Sequence, residues 1–240
     1  TQSRSSAASD VYKRQVKYTG ERFLEISRFL FYKGELKMKG INPNQLSDIQ
    51  NYKLLSGSVI PRPIAFVTSE DEKGNLNGAP FSFFNVVNNK PPMIAIAAQR
   101  SNGKRKDTAI NIEKTKEFVV HITDEFNIED INETAAPLKY EDNELERTSL
   151  TLISSSIIQT PAVKEANIRF ECKLDQMIQL GTKNDGADLI IGEVVMYHIN
   201  EDVYFEDSKI DFNQLKPVAR LAGNNYSKLG DIFTIKRPES

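Results

Sequence analysis

Residues 57–87 read GSVIPRPIAFVTSEDEKGNLNGAPFSFFNVV, and this stretch decides the fold class. Its two early prolines exclude a helix there, because proline removes a backbone donor and clashes with the preceding helical turn. Residues 64–68, apart from Ala65, are β-branched or aromatic, a composition that favours a strand. The turn-forming sequence DEKG at 71–74 follows, and strand-like residues resume over 79–87. The stretch therefore predicts a β-hairpin.

Strand-like segments recur at short intervals after this hairpin. They occupy residues 93–98, 118–122, 152–158, 168–180 and 187–199. Short helices are expected at 42–57, from 107 for about two turns, and near 128–135, with a charged surface loop over 136–150. Many strands and few helices predict a mainly β protein, a closed or partly closed barrel with short flanking helices.

Two of these helices have recognisable starts. In the first, Asn42 is placed to cap, Pro43 suits the first turn and Gly57 follows the end. Its apolar residues Leu46, Ile49, Tyr52 and Leu55 share one face, which predicts an amphipathic helix. In the second, Asp107 is the expected N-cap.

Composition narrows the class of protein. The 240 residues are 39% hydrophobic and 27% charged, which excludes collagen-like and wholly disordered chains. A net charge of −2 argues against a nucleic-acid binder. The single cysteine cannot form an internal disulfide, so a cytoplasmic location is expected, and no apolar run is long enough to cross a membrane.

The N-terminus does not look like part of the fold. Residues 1–15 read TQSRSSAASDVYKRQ and resemble a translated sequencing adapter, without amphipathic period or signal-peptide pattern. We expect residues 1–37 to be a non-native extension, and one domain to run from Met38 to Ser240. The alternative is a real extension whose Phe23, Leu24, Phe29, Leu30 and Phe31 pack on the body.

The usual catalytic motifs are absent from the sequence. It contains no Walker motif, no G-x-G-x-x-G, no HExxH and no paired cysteines, and only two histidines. His121 and His198 lie in strand patterns, where a packed or hydrogen-bonded role is favoured over a catalytic one. Cys172 is expected to be a buried apolar residue.

Two segments suggest a ligand. Residues 100–108 read RSNGKRKDT, and their four cations and two hydroxyls lead into a predicted helix start. This arrangement suits a phosphate, although a charged loop is more often only solvated. Residues 77–85, NGAPFSFFN, alternate small polar side chains with Phe81, Phe83 and Phe84. These aromatics either fill the core or face a flat heteroaromatic ligand such as an isoalloxazine ring.

With these segments in view, the chain resembles the flavin reductase family with the FMN-binding split-barrel fold. The resemblance covers roughly residues 38–238 and rests on motifs in order. They are GSVIPRPIAFVTS (57–69), NGAPFSFFNVV (77–87), KDTAINI (106–112), FECKL (170–174), LIIGEVV (189–195), KID (209–211) and LKPVARLAGNNY (215–226).

The resemblance implies a Greek-key split β-barrel that forms a homodimer with one FMN per subunit. Carried over by motif, Thr68 and Ser69 would lie near the flavin, and Asn77, Ser82, Phe83 and Asn85 would line its ring and ribityl chain. Arg100, Ser101, Lys106 and Thr108 would hold the phosphate. Arg220 to Tyr226 would close over the site. Ala222 stands where the family commonly has glycine, so a positive φ there would be strained.

The resemblance also implies the activity. The leading hypothesis is an NAD(P)H-dependent flavin reductase, with NADH or NADPH as reductant and a monooxygenase or another electron-transfer protein as partner. No side-chain acid or base is required, so no catalytic residue is predicted. The alternatives are a flavoredoxin-like electron carrier without nicotinamide activity, and a flavin-binding or ligand-sensing module.

Overall fold

The computed structural model describes residues 37–100, 102–135, 144–182 and 184–238. The chain divides into two compact units after Ser47. In the first, the described residues include a short 3-10 helix, Pro43–Gln45, capped by the side chain of Asn42. The second, Asp48–Ser240, contains every strand described below. The predicted boundary at residue 37 stays a prediction.

The second unit is mainly β. Its helices are α1 (Asp48–Ser58), α2 (Asp107–Thr115), α3 (Ile128–Glu133) and α4 (Phe212–Leu215). Its principal strands are β1 (Arg62–Pro63), β2 (Ala65–Glu70), β3 (Leu76–Phe81), β4 (Phe84–Asn89), β5 (Pro92–Gln99) and β6 (Glu117–Ile122). The later strands are β7 (Leu152–Ile153), β8 (Ala162–Val163), β9 (Ile168–Gly181), β10 (Gly186–Ile199), β11 (Tyr204–Phe205), β12 (Lys209–Ile210), β13 (Val218–Arg220) and β14 (Tyr226–Lys228).

Seven strands form one antiparallel sheet in the order β3-β2-β6-β9-β10-β5-β4. The two edge strands, β3 and β4, are consecutive in the chain and are joined by only Ser82 and Phe83. A two-residue link can connect opposite edges only if the sheet curls until they meet. The fold is therefore a split barrel, as predicted, with its seam at Ser82–Phe83.

The barrel interior is the main hydrophobic core. Side chains alternate between the two faces of each strand, so every second residue points inward. The inward set includes Val67 of β2, Ile96 of β5, Phe118 of β6 and Ile190 of β10, all without solvent exposure. Ala109 and Ile112 of α2 join them, so this helix closes the interior.

The first predicted helix is wrong in extent and in the direction of its apolar face. The turn at Pro43–Gln45 ends before α1 begins at Asp48. In α1, Ile49, Tyr52 and Leu55 are exposed at 67%, 56% and 64%. Apolar spacing shows that residues share a face, but it does not show that the same chain covers that face.

Two other predictions need correction. The strand expected at 152–158 ends at Ile153. Part of the expected surface loop, residues 136–143, lies outside the described residues, while Glu144–Arg147 forms a 3-10 helix whose Leu145 is buried against Phe66 and Ile131. The other strand predictions are confirmed in position, and the hairpin is confirmed as β2–β3, although Ser82 and Phe83 interrupt its second strand.

Candidate functional site

A cluster of buried polar side chains lies where β2, β3 and α2 meet. Ser69 faces Asn77 across the β2–β3 ladder. The Nδ2 of Asn77 donates to Oγ1 of Thr108 at 2.8 Å, and Nδ2 of Asn111 approaches Oγ of Ser69 at 3.4 Å. All four side chains are buried. Because buried polar groups are costly without partners, this cluster holds the start of α2 against the β2–β3 hairpin.

Thr68, also predicted for the site, is fully buried, and it points to the opposite face of β2 from Ser69. Its Oγ1 donates to the carbonyl oxygen of Pro161 at 2.7 Å. The hydroxyl is therefore used to hold the segment before β8 against β2.

The start of α2 has the features of an anion site. Lys106 is the N-cap residue, with an extended backbone, and no side chain caps the helix. The first N–H groups of a helix lack intrahelical partners and carry partial positive charge, which favours an anion. Among the described residues neither Lys104 nor Lys106 has an ion pair, and both are exposed.

Asp107 was expected to cap this helix, and that expectation is wrong. It is the first helical residue, and Lys106 precedes it at the N-cap. Burial raises the pKa of Asp107, with Lys106 acting in the opposite direction. A carboxylate in the first turn of a helix interacts favourably with the helix dipole. Asp107 therefore contributes to the stability of α2.

Arg100 was expected to bind a phosphate, but its guanidinium group is bound to other parts of the protein. Its Nη2 donates to Oδ1 of Asp188 at 2.9 Å and its Nη1 to the carbonyl oxygen of Thr182 at 3.0 Å. Arg105 binds the other oxygen of Asp188 at 3.0 Å and also pairs with Glu113. Burial opposes ionisation of Asp188, but the hydrogen bonds from both arginines lower its pKa. Ser101 lies outside the described residues.

Two of the four cations in the loop are therefore neutralised by acidic side chains that sequence reasoning missed. Asp188 lies inside the apolar run ADLIIG, where a buried charge has no partner in sequence. Lys104 and Lys106 provide the charge that remains for a ligand.

A second group of predicted residues meets at the other end of β3. Ser82, Arg220 and Tyr226 line an open cavity of about 200 Å³ together with Tyr52, Ile64, Pro80, Ile128, Ile131, Asn132 and Ala135. The guanidinium of Arg220 lies 4.5 Å from the ring centroid of Tyr226 and donates to its hydroxyl. That hydroxyl donates to Oδ1 of Asn132 at 2.8 Å. The C-terminal segment is thereby fixed to α3 beside the seam.

The backbone near Arg220 avoids the strain that Ala222 could have caused. Positive φ falls on Gly223, at 60°, and Arg220 Nη2 donates to the Gly223 carbonyl oxygen at 2.6 Å. Ala222 is not among the residues of positive φ. Its methyl group therefore costs nothing in this turn.

Phe83 lies at the seam, under a buried arginine that sequence reasoning missed. The guanidinium carbon of Arg62 lies 5.9 Å from the Phe83 ring centroid. Arg62 is 6% exposed and donates to the carbonyl oxygens of Ser56, Val59 and Leu221. Its Nε has no partner among the described residues. Arg62 stands between the two prolines that exclude a helix, a position that gave no functional signal.

The contacts described for Asn85 do not connect it with either group of site residues. It is exposed on β4, and its Oδ1 accepts from the backbone N–H of Val86 at 2.9 Å.

The remaining titratable candidates are structural. His121 is fully buried, its Nδ1 donating to the Phe66 carbonyl oxygen at 3.0 Å and its Nε2 accepting from Val163 N–H at 2.8 Å. Burial lowers its pKa to about 3, so the ring is neutral. Burial likewise raises the pKa of the Cys172 thiol. His198 is hydrogen-bonded, in agreement with the expectation, with its Nε2 2.6 Å from Oε1 of the buried Glu171.

The two groups of site residues lie at opposite ends of β3. Ser82 lies five positions after Asn77, which corresponds to about 17 Å of extended strand. A phosphate, a ribityl chain and three fused rings can bridge that span. The donor sets also fit, with cations and helix N–H groups at one end and an aromatic ring, hydroxyls and guanidinium groups at the other. The residues present therefore fit a flavin mononucleotide.

Comparison with known proteins identifies the family. A model of the flavin reductase like domain matches residues 56–216. The protein YwrF of Bacillus subtilis, which is uncharacterized, is 52% identical over 198 residues, or 81% of this chain and 97% of YwrF. Nitrilotriacetate monooxygenase component B from Bacillus cereus is 50% identical, with a TM-score of 0.81 over 83% of this chain and 99% of that one.

A more distant structure agrees in fold. A protein with a split barrel domain from Shewanella frigidimarina is 20% identical, with a TM-score of 0.72 over 84% of this chain and all of that one. The chain belongs to the flavin reductase-like family, a family of oxidoreductases that implies a flavin cofactor. Among the described residues, the structure contains no helix with the length and apolar character needed to span a membrane.

Proposed function

We propose that this protein binds FMN and reduces it with NADH or NADPH, and that it passes the electrons to a further acceptor. The observation that carries the proposal is the start of α2, where exposed Lys104 and Lys106 flank an uncapped helix end joined to β3 through Asn77 and Thr108. Such an end is suited to a phosphate. The family membership supports a flavin as the group that bears it.

Each part of the site has a role in this proposal. Lys106 and the first N–H groups of α2 bind the phosphate, while Asn77 and Thr108 fix that helix end in place. Ser82, Phe83 and the Arg220–Tyr226 pair hold the ring system and exclude water from one side of it. Arg100 keeps the loop in position through Asp188.

FMN supplies the redox chemistry when it is bound, accepting hydride from a nicotinamide. The protein then has to bind and orient two flat molecules, and it needs no acid or base of its own. The state of His121 agrees with this, because its ring is neutral and both ring nitrogens are hydrogen-bonded within the protein. We therefore assign no catalytic residue.

The proposal includes a homodimer in the cytoplasm and an electron-accepting partner. The exposed apolar side chains of α1, Ile49, Tyr52 and Leu55, support a protein partner on that face, because burying them in a second copy would remove them from water. A monooxygenase is proposed as the acceptor, since a similar chain is component B of nitrilotriacetate monooxygenase. Sedimentation of the purified chain tests the dimer.

The deciding experiment is a titration of the purified chain with FMN, followed by anaerobic stopped-flow mixing with NADH and, separately, NADPH. We expect saturable quenching of FMN fluorescence and bleaching of flavin absorbance with at least one nicotinamide. Failure to bind FMN would contradict the whole proposal. If FMN binds but neither nicotinamide bleaches it, the result would favour the alternative function, an electron carrier that receives its electrons from another protein.

A further inference from the structure

Two arginine side chains lie opposite each other on the small sheet beside the seam of the barrel. Arg62 of β1 pairs directly with Arg220 of β13 in an antiparallel ladder. Residues paired in this way point to the same face of the sheet, with their Cβ atoms about 4.5–5.5 Å apart. Like charges directly opposite each other destabilise a sheet, so this pair costs the fold stability that a nearby anion would restore.

Neither guanidinium group forms an ion pair with an acid in the described part of the chain. Arg62 is buried and donates to three backbone carbonyl oxygens, while its Nε has no partner among the described residues. Arg220 donates to one hydroxyl and one carbonyl oxygen. These acceptors carry no net charge, and a guanidinium group keeps its positive charge in proteins. Two positive charges therefore remain at this corner.

The acidic side chains of the neighbouring elements do not face this corner. No acid is among the residues that line the cavity of about 200 Å³ beside the seam, to which α3 contributes Ile128, Ile131 and Asn132. Successive helical residues are 100° apart, so the acids of α3 point about 100° or more away from that side. They are Glu129, Asp130 and Glu133. Glu125 pairs with a lysine of β14, and Asp48 of α1 is exposed.

Arg62 lies against both segments that flank the cavity. Its guanidinium carbon is 5.9 Å from the centroid of the Phe83 ring, and Phe83 forms the seam with Ser82, which lines the cavity. Its Nη2 donates to the carbonyl oxygen of Leu221, the residue after Arg220. A group in contact with the Phe83 ring lies within about 11 Å of this buried charge.

Hydride transfer is a reaction that such a charge can influence. A hydride consists of two electrons and one proton, so its transfer leaves one additional negative charge on the acceptor until a second proton arrives. A fixed positive charge nearby favours the reduced form over the oxidised one, because charges interact more strongly inside a protein than in water. At an effective dielectric constant of about 20 and a separation of about 11 Å, the attraction shifts this equilibrium about tenfold.

We propose that the buried charge of Arg62 raises the reduction potential of bound FMN. This inference rests on the proposed function, because it requires a flavin beside Ser82 and Phe83. Arg62 acts through its charge and moves no proton, and the three carbonyl oxygens hold the charge in place. Arg220 adds to the same field, but it is partly exposed, so solvent and salt screen it more.

The test is the midpoint potential of FMN bound to the full chain, measured by anaerobic titration with dithionite in the presence of redox dyes. Its difference from the potential of free FMN gives the ratio of the dissociation constants of oxidised and reduced FMN. We expect the preference for reduced FMN to fall about tenfold in Arg62→Gln, which is about 30 mV for a two-electron couple.

Two further variants separate the charge of Arg62 from its structural role. Arg62→Lys keeps a positive charge but has a different shape, so its preference for reduced FMN should stay within about twofold of the wild type while its stability falls. Lys173→Gln removes an exposed positive charge from β9 and is the matched control, for which we expect the potential of the wild type.

The outcomes distinguish this inference from the proposed function. Equal potentials in Arg62→Gln and Lys173→Gln, with FMN still bound, would overturn the role of Arg62 alone. An equal loss in Arg62→Gln and Arg62→Lys would show that the effect is structural and would also overturn it. A wild type that binds no FMN would overturn both proposals, and the fluorescence titration shows this before any potential is measured.

Gly57 allows a test that leaves Arg62 in place. It is exposed and follows Ser56, whose carbonyl oxygen accepts from Arg62. A Cβ at this position would meet only the Cβ of Ala222, at 3.9 Å. Gly57→Asp brings a carboxylate close to the arginine, and Gly57→Asn is its neutral counterpart.

We expect the preference for reduced FMN to be about threefold lower in Gly57→Asp than in Gly57→Asn, because an exposed carboxylate cancels only part of the buried charge. Thermal unfolding followed by circular dichroism checks that each variant is folded. Equal potentials in the two Gly57 variants would overturn the proposal even if Arg62→Gln does not fold.

Discussion

The side-chain amide of Asn77 donates to the hydroxyl of Thr108 at 2.8 Å, with both groups buried. This bond joins the second strand of the hairpin to the first turn of α2, elements that are 31 residues apart. The helix end that faces the proposed phosphate therefore depends on the barrel for its position.

Replacing Thr108 by Val should weaken both the fold and the ligand site. It leaves the Asn77 amide buried without an acceptor, which costs about 1–3 kcal/mol of unfolding free energy. We expect FMN affinity to fall about tenfold as the helix end shifts. Urea unfolding and FMN fluorescence titration measure the two effects. Thr108→Ser retains the hydroxyl and should behave as the wild type, and a Val variant with unchanged affinity would contradict this role.

Replacing Lys106 by Ala should weaken FMN binding about tenfold or more. A charge-assisted hydrogen bond to phosphate contributes about 1.5–3 kcal/mol. Lys114→Ala is the control, because Lys114 lies at the other end of the same helix and pairs with Glu72. The difference between the two variants should shrink as salt rises. Equal FMN affinities at low salt would remove Lys106 from the phosphate site.

Arg62 should be needed for the stability of the fold, and lysine should not be able to take its place. Its guanidinium donates to three carbonyl oxygens, of Ser56, Val59 and Leu221, whereas an ammonium group has a different shape and a shorter reach. We expect Arg62→Lys to lower the free energy of unfolding by about 1–3 kcal/mol in urea. Arg237→Lys, at an exposed position, should change nothing. Equal stability of the two variants would show that the carbonyl contacts contribute little.

His121 should make the protein less stable as the pH falls below 6.5. Its pKa is about 3 in the folded chain against 6.5 in an unfolded one, so between these values the unfolded chain binds more protons. The free energy of unfolding then rises with pH by up to about 1.4 kcal/mol per unit. His121→Gln should lose this slope when the two proteins are compared in urea.

The pH range from 4.5 to 6.5 isolates this effect. Glu171 has a lowered pKa, because the N–H of Ser156 and its other hydrogen bonds outweigh burial, so its contribution is lost only below 4.5. Asp124, whose pKa burial raises, acts equally in both proteins and cancels in the difference. Parallel pH profiles for wild type and His121→Gln would contradict the assignment.

Local sequence predicted those parts of the fold that local forces determine. The hairpin of β2 and β3, the long strands β9 and β10, and helix α2 all have periodicity or turn residues that identify them. The exposed apolar face of α1 was not predictable, since it depends on what covers the helix and not on its own spacing. The 3-10 helix at Glu144–Arg147 likewise depends on burial of Leu145 against residues distant in sequence.

The same limit applies to the candidate site. Asn77 and Thr108 were predicted through family motifs, and the structure shows them in contact. Asp188, which neutralises Arg100 and Arg105, could not be predicted, because 88 residues separate Asp188 from Arg100. Arg62 carries a buried charge held by carbonyl oxygens, and no sequence pattern marks a backbone acceptor.

The seam between β3 and β4 gives the barrel a mechanical property. Only Ser82 and Phe83 connect the two edges of the seven-stranded sheet, so opening the seam requires no strand pair within that sheet to separate. A ligand bound by Ser82 and Phe83 would hold the two edges together. Its binding free energy would add to the free energy that is needed to open the barrel. Amide hydrogens of β3 and β4 would then exchange with solvent more slowly in the flavin-loaded protein than in the empty one, while those between β9 and β10 would change little.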